Sequence, residues 1–428
     1  MATAEMSKPI EAPVRKKAFG LPIDLMLLVV VGALAAFGLM MVYSATFDWS
    51  YRQYGDPSTI FLRQIRWLAL GLGALAVAAS MPYRWWKRLA VIAMGRSLVL
   101  LVAVLLFGTQ TFNAQRSFFS GSVQPSELAK LVTILYLAVW LDSKKDQLHD
   151  LSYGLLPFGV IVGVVAGLIL LQPDLSAAAT VVLVAAVMFF VGGADIVQMG
   201  VVGLAGSVSA AVVVQINETG RRRLADYLAG LQDMTQASWH VKQAAIAFVN
   251  GGLFGRGLGE SHQKFGFLPT PHTDSIFAIV GEELGLLGCL FVVLLFVALA
   301  WRGFKIATQS RDQLGAMLAT GIVVWIVMEA AINIAVMVGA LPFAGNALPF
   351  ISYGGSSLVT MLAAVGVLLS ISRRDDTESL PRKTRVARPG WLAGLVNGQG
   401  TQGNATFGFG RRDRRRRVSR VVNRTGRD

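Results

Sequence analysis

The sequence predicts an all-α integral membrane protein: a bundle of ten transmembrane helices with a large extracytoplasmic loop between spans seven and eight. Three observations point there. Of the 428 residues, 54% are hydrophobic and only 15% charged, and the mean hydropathy is +0.56, whereas soluble domains carry about 25% charged residues. Apolar stretches of about 20 residues, enough to span a bilayer, recur along the chain. They lack strand alternation, and open sheet edges cannot face lipid, so the spans are helices.

A basic tail covers residues 1–22, and the membrane domain runs from 23 to 374. Its spans fall near 23–46, 60–81, 89–108, 126–142, 152–171, 176–193, 196–215, 276–301, 314–340 and 354–372. Only a GGAD turn parts the sixth from the seventh. Lys8, Arg15, Lys16 and Lys17 precede span one; Arg84, Lys87 and Arg88 follow span two; Lys144 and Lys145 follow span four; Arg302, Lys305 and Arg311 follow span eight. The alternate loops are poorer in cations, which predicts that both termini are cytoplasmic. Trp85, Trp86, Trp140 and Trp301 at span ends suit an aromatic belt, and span one reads as a retained anchor, too long for a cleaved signal. The 216–275 loop then lies outside, and a loop of that length is often functional. Within it, WHVKQAAIAFVNGGLFGRGLG reads as an amphipathic interfacial helix ending at a glycine turn.

The remaining segment, 375–428, has 13 Lys/Arg against 5 Asp/Glu and so holds +8 of the net +14. It is too polar to bury a core and reads as a disordered cytoplasmic tail touching anionic lipid. The basic balance is a topology signal, with no reason to invoke nucleic acid. Cys289, the only cysteine, lies inside span eight, which excludes an internal disulfide and a cysteine metal site. No Walker motif or dinucleotide fingerprint occurs, so no nucleotide site is expected.

Charges within or at the rim of a membrane are costly, which makes each one a candidate. In NAQRSFFSGSVQPSELAK, Pro125 and Ser126 start a helix that sets Glu127 and Lys130 three apart on one face. Asp174 in QPDL is at the outer rim, where a helix cap competes with any other role. Asp274 stands at the lip of span eight in LPTPHTDSIFAIVGEELG, with Glu282 and Glu283 deeper and Glu329 and Asn333 in span nine. The connection ALPFAGNALPFISYGGSS is uncharged and irregular, a backbone tolerated at membrane depth only in protein or beside a wet cavity. Together these predict an outward-facing cavity rimmed by Arg116, Glu127, Lys130, Asp174 and Asp274. Composition leaves transporter and enzyme both open.

Five blocks in order, QPSELAK (124–130), QPDL (172–175), GGLFGRGLG (251–259), PHTDSIFAIVGEELGLLG (271–288) and LPFISYGGSS (348–357), resemble the SEDS family, the peptidoglycan polymerases of the FtsW and RodA type. The resemblance covers about 23–372, and GEELG is the more FtsW-like form. It departs from the family pattern at Thr270, Ser275, Ser176, Ala177, Glu329 and Ala344, and the loop around Arg116 lacks its usual tryptophan.

The resemblance implies an inverting glycosyltransferase that polymerises lipid II into glycan strands, for septal wall synthesis in division or, if RodA-like, for elongation. A lipid-linked-precursor flippase is the competing reading. The resemblance makes Asp274 the catalytic base. It places Lys130, Glu127, Arg116, Asp174, His272 and Ser352 around the substrate and its pyrophosphate, and leaves room for a divalent cation, Mg2+ or Mn2+. It further implies a cell-membrane location at the septum, a cognate class B penicillin-binding protein and other divisome or elongasome proteins as partners, and undecaprenyl-pyrophosphate-linked glycan as a ligand.

Overall fold

The computed structural model describes residues 23–111, 114–118 and 123–373, without the side chains of 109–111 and 114–117. Both tails, 1–22 and 375–428, lie outside the described residues. The order is α1 (Leu25–Tyr54), α2 (Thr59–Ser80), α3 (Trp86–Phe107), β1 (Thr109–Thr111), β2 (Ala114–Ser117), α4 (Pro125–Lys144), α5 (Leu156–Leu170), α6 (Leu175–Gly192), α7 (Ile196–Ile216), α8 (Glu218–Gln232), α9 (Trp239–Gly251), α10 (Ile276–Gln309), α11 (Gln313–Met337) and α12 (Gly355–Ser372).

Nine described helices are long and apolar enough to cross a bilayer. They are α1, α2, α3 with the turn before it, α5 with its preceding turn, α6, α7, α10, α11 and α12. Helix α4 is 20 residues long but carries Glu127, Lys130 and Asp142 within its length, charges that hydropathy alone counts against a span. The loop before α4 forms a short antiparallel ribbon of β1 and β2. The GGAD turn does separate two helices. Gly193 ends α6 with φ +111°, and Asp195 and Gln198 form a reciprocal capping box at the start of α7.

Helices α11 and α12 are the most buried spans and α7 the most exposed. Helix α2 lies along α12, where a Cβ on Gly366 would collide with the Leu75 backbone. The 216–275 loop is mostly helical. Helix α9 turns Val241, Ala244, Ala247 and Gly251 inward and packs on α10, with Phe248 edge-on to Phe277 at 5.9 Å. A Cβ on Gly251 would fall onto the Gly281 carbonyl, so the two helices meet backbone to backbone.

Helix α10 is broken at Gly285, whose φ/ψ of 66°/−164° only glycine adopts readily. The break frees backbone groups, which membrane depth would leave unsatisfied. The loop supplies partners for them. Arg256 N donates to the Glu282 carbonyl and Gly257 N to the Glu283 carbonyl, both at 3.0 Å, and Leu286 N and Leu287 N donate to Gly252 O and Leu253 O at 2.9 and 3.3 Å. The two acidic side chains complete the seam. Glu282 accepts from Ser261 Oγ, His262 N (3.2 Å), Gln263 N (3.1 Å) and Asn250 Nδ2 (3.4 Å). Glu283 accepts from Ser44 Oγ of α1 at 2.7 Å and pairs with Lys264 at 3.0 Å. Both acids, fully buried, bind the loop to the bundle.

Candidate active site

Past this seam the chain runs through a turn into the start of α10. Thr270 has φ +46°, and Thr273 N folds back on its carbonyl at 3.1 Å. The backbone that follows is held at three consecutive carbonyls. His272 O accepts from Tyr353 N at 2.8 Å, Thr273 O from Ser352 Oγ at 2.6 Å and Asp274 O from Asn333 Nδ2 at 2.8 Å. Ser352 also receives Leu348 N at 2.7 Å, so its hydroxyl is committed to the backbone. The irregular connection between α11 and α12 thus forms a cradle for the segment bearing Asp274. The Asp274 carboxylate, partly exposed, points along Gly345, where a Cβ would come within 3.4 Å of Oδ2. Gly345 has φ +63°, so the turn favours glycine there.

Asn333 also donates to the Asn346 carbonyl, and Asn346 Nδ2 returns to Glu329 O at 3.1 Å. One turn back on α11, the Glu329 side chain contacts Lys130 Nζ, which also pairs with Glu127 at 2.9 Å. Lys130 is 3% exposed and lies 5.6 Å over the Trp325 ring. A buried lysine needs compensation, and here two carboxylates give it. Glu127, Lys130, Glu329, Asn333 and the Asp274 backbone therefore form one polar chain across α4, α11 and the start of α10. The role of Glu329 was visible only as a general rule: an acid inside a span needs a cation, and Lys130 is a lysine inside a helix.

Asp174 caps α6 through Ala177 N at 3.1 Å, and accepts from Ser176 Oγ (3.1 Å), Gln124 Nε2 (2.9 Å) and Ser126 Oγ (3.3 Å). It ties α6 to the start of α4. Arg116 lies on β2, with its side chain outside the described structure.

His272 stacks on Trp49 of α1 at 4.8 Å and meets Tyr353 edge-on at 5.7 Å. Burial pushes its pKa down to about 4, so the ring is neutral near pH 7. Its Nδ1 is buried without a hydrogen-bond partner. Residues the sequence did not single out gather around Phe343, whose ring lies 3.9 Å from where a Cβ on Gly345 would sit. His240 stacks on Phe343 at 4.0 Å, and the Arg223 guanidinium lies 5.3 Å over the same ring. Burial, then Arg223, holds the His240 pKa down to about 4. The Tyr227 hydroxyl of α8 donates to Ala340 O at 2.9 Å, so the loop helices flank the cradle.

No three His, Cys, Asp or Glu side chains gather as a cation cage among the described residues. Mg2+ needs no such cage, since it typically takes one or two carboxylates and fills its shell with phosphate oxygens and water. What the arrangement does offer is a carboxylate on a rigid backbone at the lip of an apolar helix, backed by a buried charge network.

Residues 24–377 match the family model FTSW_RODA_SPOVE, described as cell cycle protein. The chain is 40% identical over 358 residues to a probable peptidoglycan glycosyltransferase FtsW of Geobacter sulfurreducens, covering 82% of this chain and 95% of that one. It is 39% identical over 357 residues to stage V sporulation protein E of Bacillus subtilis, covering 82% and 97%. Among solved structures, it resembles one described as structural coordination of polymerization and crosslinking by a peptidoglycan synthase complex, with TM-score 0.68, 28% identity and coverage of 83% and 99%. Rod shape determining protein RodA of Thermus thermophilus aligns with TM-score 0.62, 27% identity and coverage of 84% and 99%. Matched over its whole membrane region and at this identity, the chain belongs to the FtsW, RodA and SpoVE family.

Proposed function

We propose that the protein polymerises lipid II into glycan strands by a single inverting displacement, in the FtsW role of septal wall synthesis. The observation that carries this is the placement of Asp274: a carboxylate on backbone held at three successive carbonyls, at the junction of polar loop and apolar span. The substrate has the same division, lipid in the bilayer and sugar in water.

The acceptor GlcNAc 4-hydroxyl attacks the anomeric carbon of the donor. Its proton passes to Asp274, the C1–O bond to the pyrophosphate breaks, and undecaprenyl pyrophosphate departs with the electron pair. A positioned base typically contributes about 10²–10⁴ in rate. The leaving group gains negative charge and needs a cation. Lys130 is enclosed by Glu127 and Glu329, so its part is to hold α4 against α11, and Arg116 on the ribbon is the cation assigned to the leaving group. A divalent cation arriving with the pyrophosphate would add Lewis-acid charge neutralisation. Neutral His272 and Ser352 set the loop geometry, and Asp174 fixes where α4 begins.

In this reading α4 is the tenth span, its charges neutralised within the bundle. Loop 216–275 faces outward, both termini are cytoplasmic, and the partner is a class B penicillin-binding protein of the divisome. The test is polymer formation from lipid II by purified protein without any gradient, comparing wild type with Asp274→Asn. Polymer from wild type and a loss of about 10²–10⁴ in the variant, with unchanged folding, supports the reading. Lipid II translocation without polymer would favour a flippase.

A further inference from the structure

The α1–α2 side of Asp274 carries an aromatic wall whose outer rings, Trp49 and Tyr353, have no part in the mechanism above. Trp49 covers His272 with one face at an interplanar angle of 16° yet remains 43% exposed, so its other face is open. Tyr353 continues the wall on the far edge of His272. Beyond it, Arg63 donates to the Tyr54 hydroxyl at 3.3 Å and lies 4.8 Å over the Tyr54 ring; it is also near enough to act electrostatically on the Tyr353 phenol. A tryptophan serving only as a membrane anchor would turn its ring to the lipid interface. This one is stacked on the loop that bears Asp274, two residues away. An open indole face beside a polar loop suits the axial C–H face of a pyranose, a flat apolar surface ringed by hydroxyls. An exposed guanidinium at the end of such a wall suits a carboxylate.

We infer that Trp49, His272 and Tyr353 form a carbohydrate subsite adjoining Asp274, in which the open face of Trp49 takes a hexose ring and Arg63 takes a carboxylate carried on the substituent beside it. The inference rests on the glycan-polymerase reading of the site and names a sugar platform for it. His272 is buried and already stacked, so it braces the indole, and Trp49 makes the sugar contact.

The test uses full-length protein in detergent with two soluble probes: neutral chitotetraose, and a GlcNAc–MurNAc disaccharide bearing the pentapeptide. Saturation-transfer NMR should show sugar-ring contacts for both with wild type. Trp49→Ala should weaken both at least tenfold, and Trp49→Phe should retain most of the binding. Arg63→Gln should weaken only the peptide-bearing probe. Thermal unfolding of each variant separates lost binding from lost fold, and Trp49→Phe keeps the test open if Trp49→Ala is unstable. Absence of binding by wild type, or equal binding by folded Trp49→Ala, overturns the subsite. Binding that persists while wild type makes no polymer from lipid II would overturn the polymerase reading and leave the subsite standing.

Discussion

At the scale of single residues, the site depends on a few groups with no spare partners. Lys130 and Glu329 are both nearly inaccessible, and removing one partner of a buried pair costs about 3–5 kcal/mol. Lys130→Met should therefore destabilise the purified protein strongly, and the double variant Lys130→Met/Glu329→Met should recover much of the loss in thermal unfolding. Asn333→Ala removes the donor to the Asp274 and Asn346 carbonyls. An unsatisfied buried acceptor costs about 1–3 kcal/mol, and turnover should fall further than stability because the base is no longer held. His240 and His272 give a pH signature. Both fold with pKa values pushed down to about 4 from 6.5, so between those limits the unfolded chain takes up protons that the folded one refuses. Their contribution is present above pH 6.5 and is lost progressively as pH falls toward about 4. Thermal unfolding across that range should steepen in its decline for wild type and flatten for the His240→Gln/His272→Gln double variant.

At the scale of elements, most helices and the GGAD joint were legible, and the break inside α10 was not. The apolar runs marked α1, α6 and α11 because lipid and core both reward unbroken hydrophobicity. The same signal passed through Gly285, since hydropathy averages over a residue whose importance is its φ. Helix α4 shows the reverse: its charges lower its hydropathy although Glu329 neutralises the buried lysine from another helix. Asp274, Glu127 and Lys130 could be named from local motifs. Their connection through Asn333 and Asn346 could not, because it depends on which face α11 turns inward. The sequence marks Glu282 and Glu283 only as acids deeper than Asp274, and their part, gripping the loop against the bundle, depends on partners far along the chain. Gly285→Ala forces an L residue into a region costing about 1–3 kcal/mol and pushes it against Leu253 and Gly255. Limited proteolysis should then cut within 252–264 far faster than in wild type, while the helix ends away from this loop stay protected.

At the scale of the whole molecule, the orientation proposed from the Lys/Arg pattern can be tested directly. A cysteine placed at Gly259 in a Cys289-free background should react with an impermeant thiol reagent in intact cells, and labelling only after lysis would reverse the orientation. Deleting 375–428 removes +8 of charge without touching α12, so polymerisation by the purified protein should persist. The break in α10 also bears on how the chain enters the bilayer. The stretch from Ile276 to Leu284 is far shorter than the roughly 20 residues a span requires, and it carries two acids whose partners sit on α1 and on the preceding loop. The insertion machinery would therefore take Leu286–Gln309 as the span and release Ile276–Leu284 on the outer side. In the proposed orientation that stretch would settle into the outer leaflet only once the loop has folded against α1, which would make the turn that bears Asp274 a late step in biogenesis.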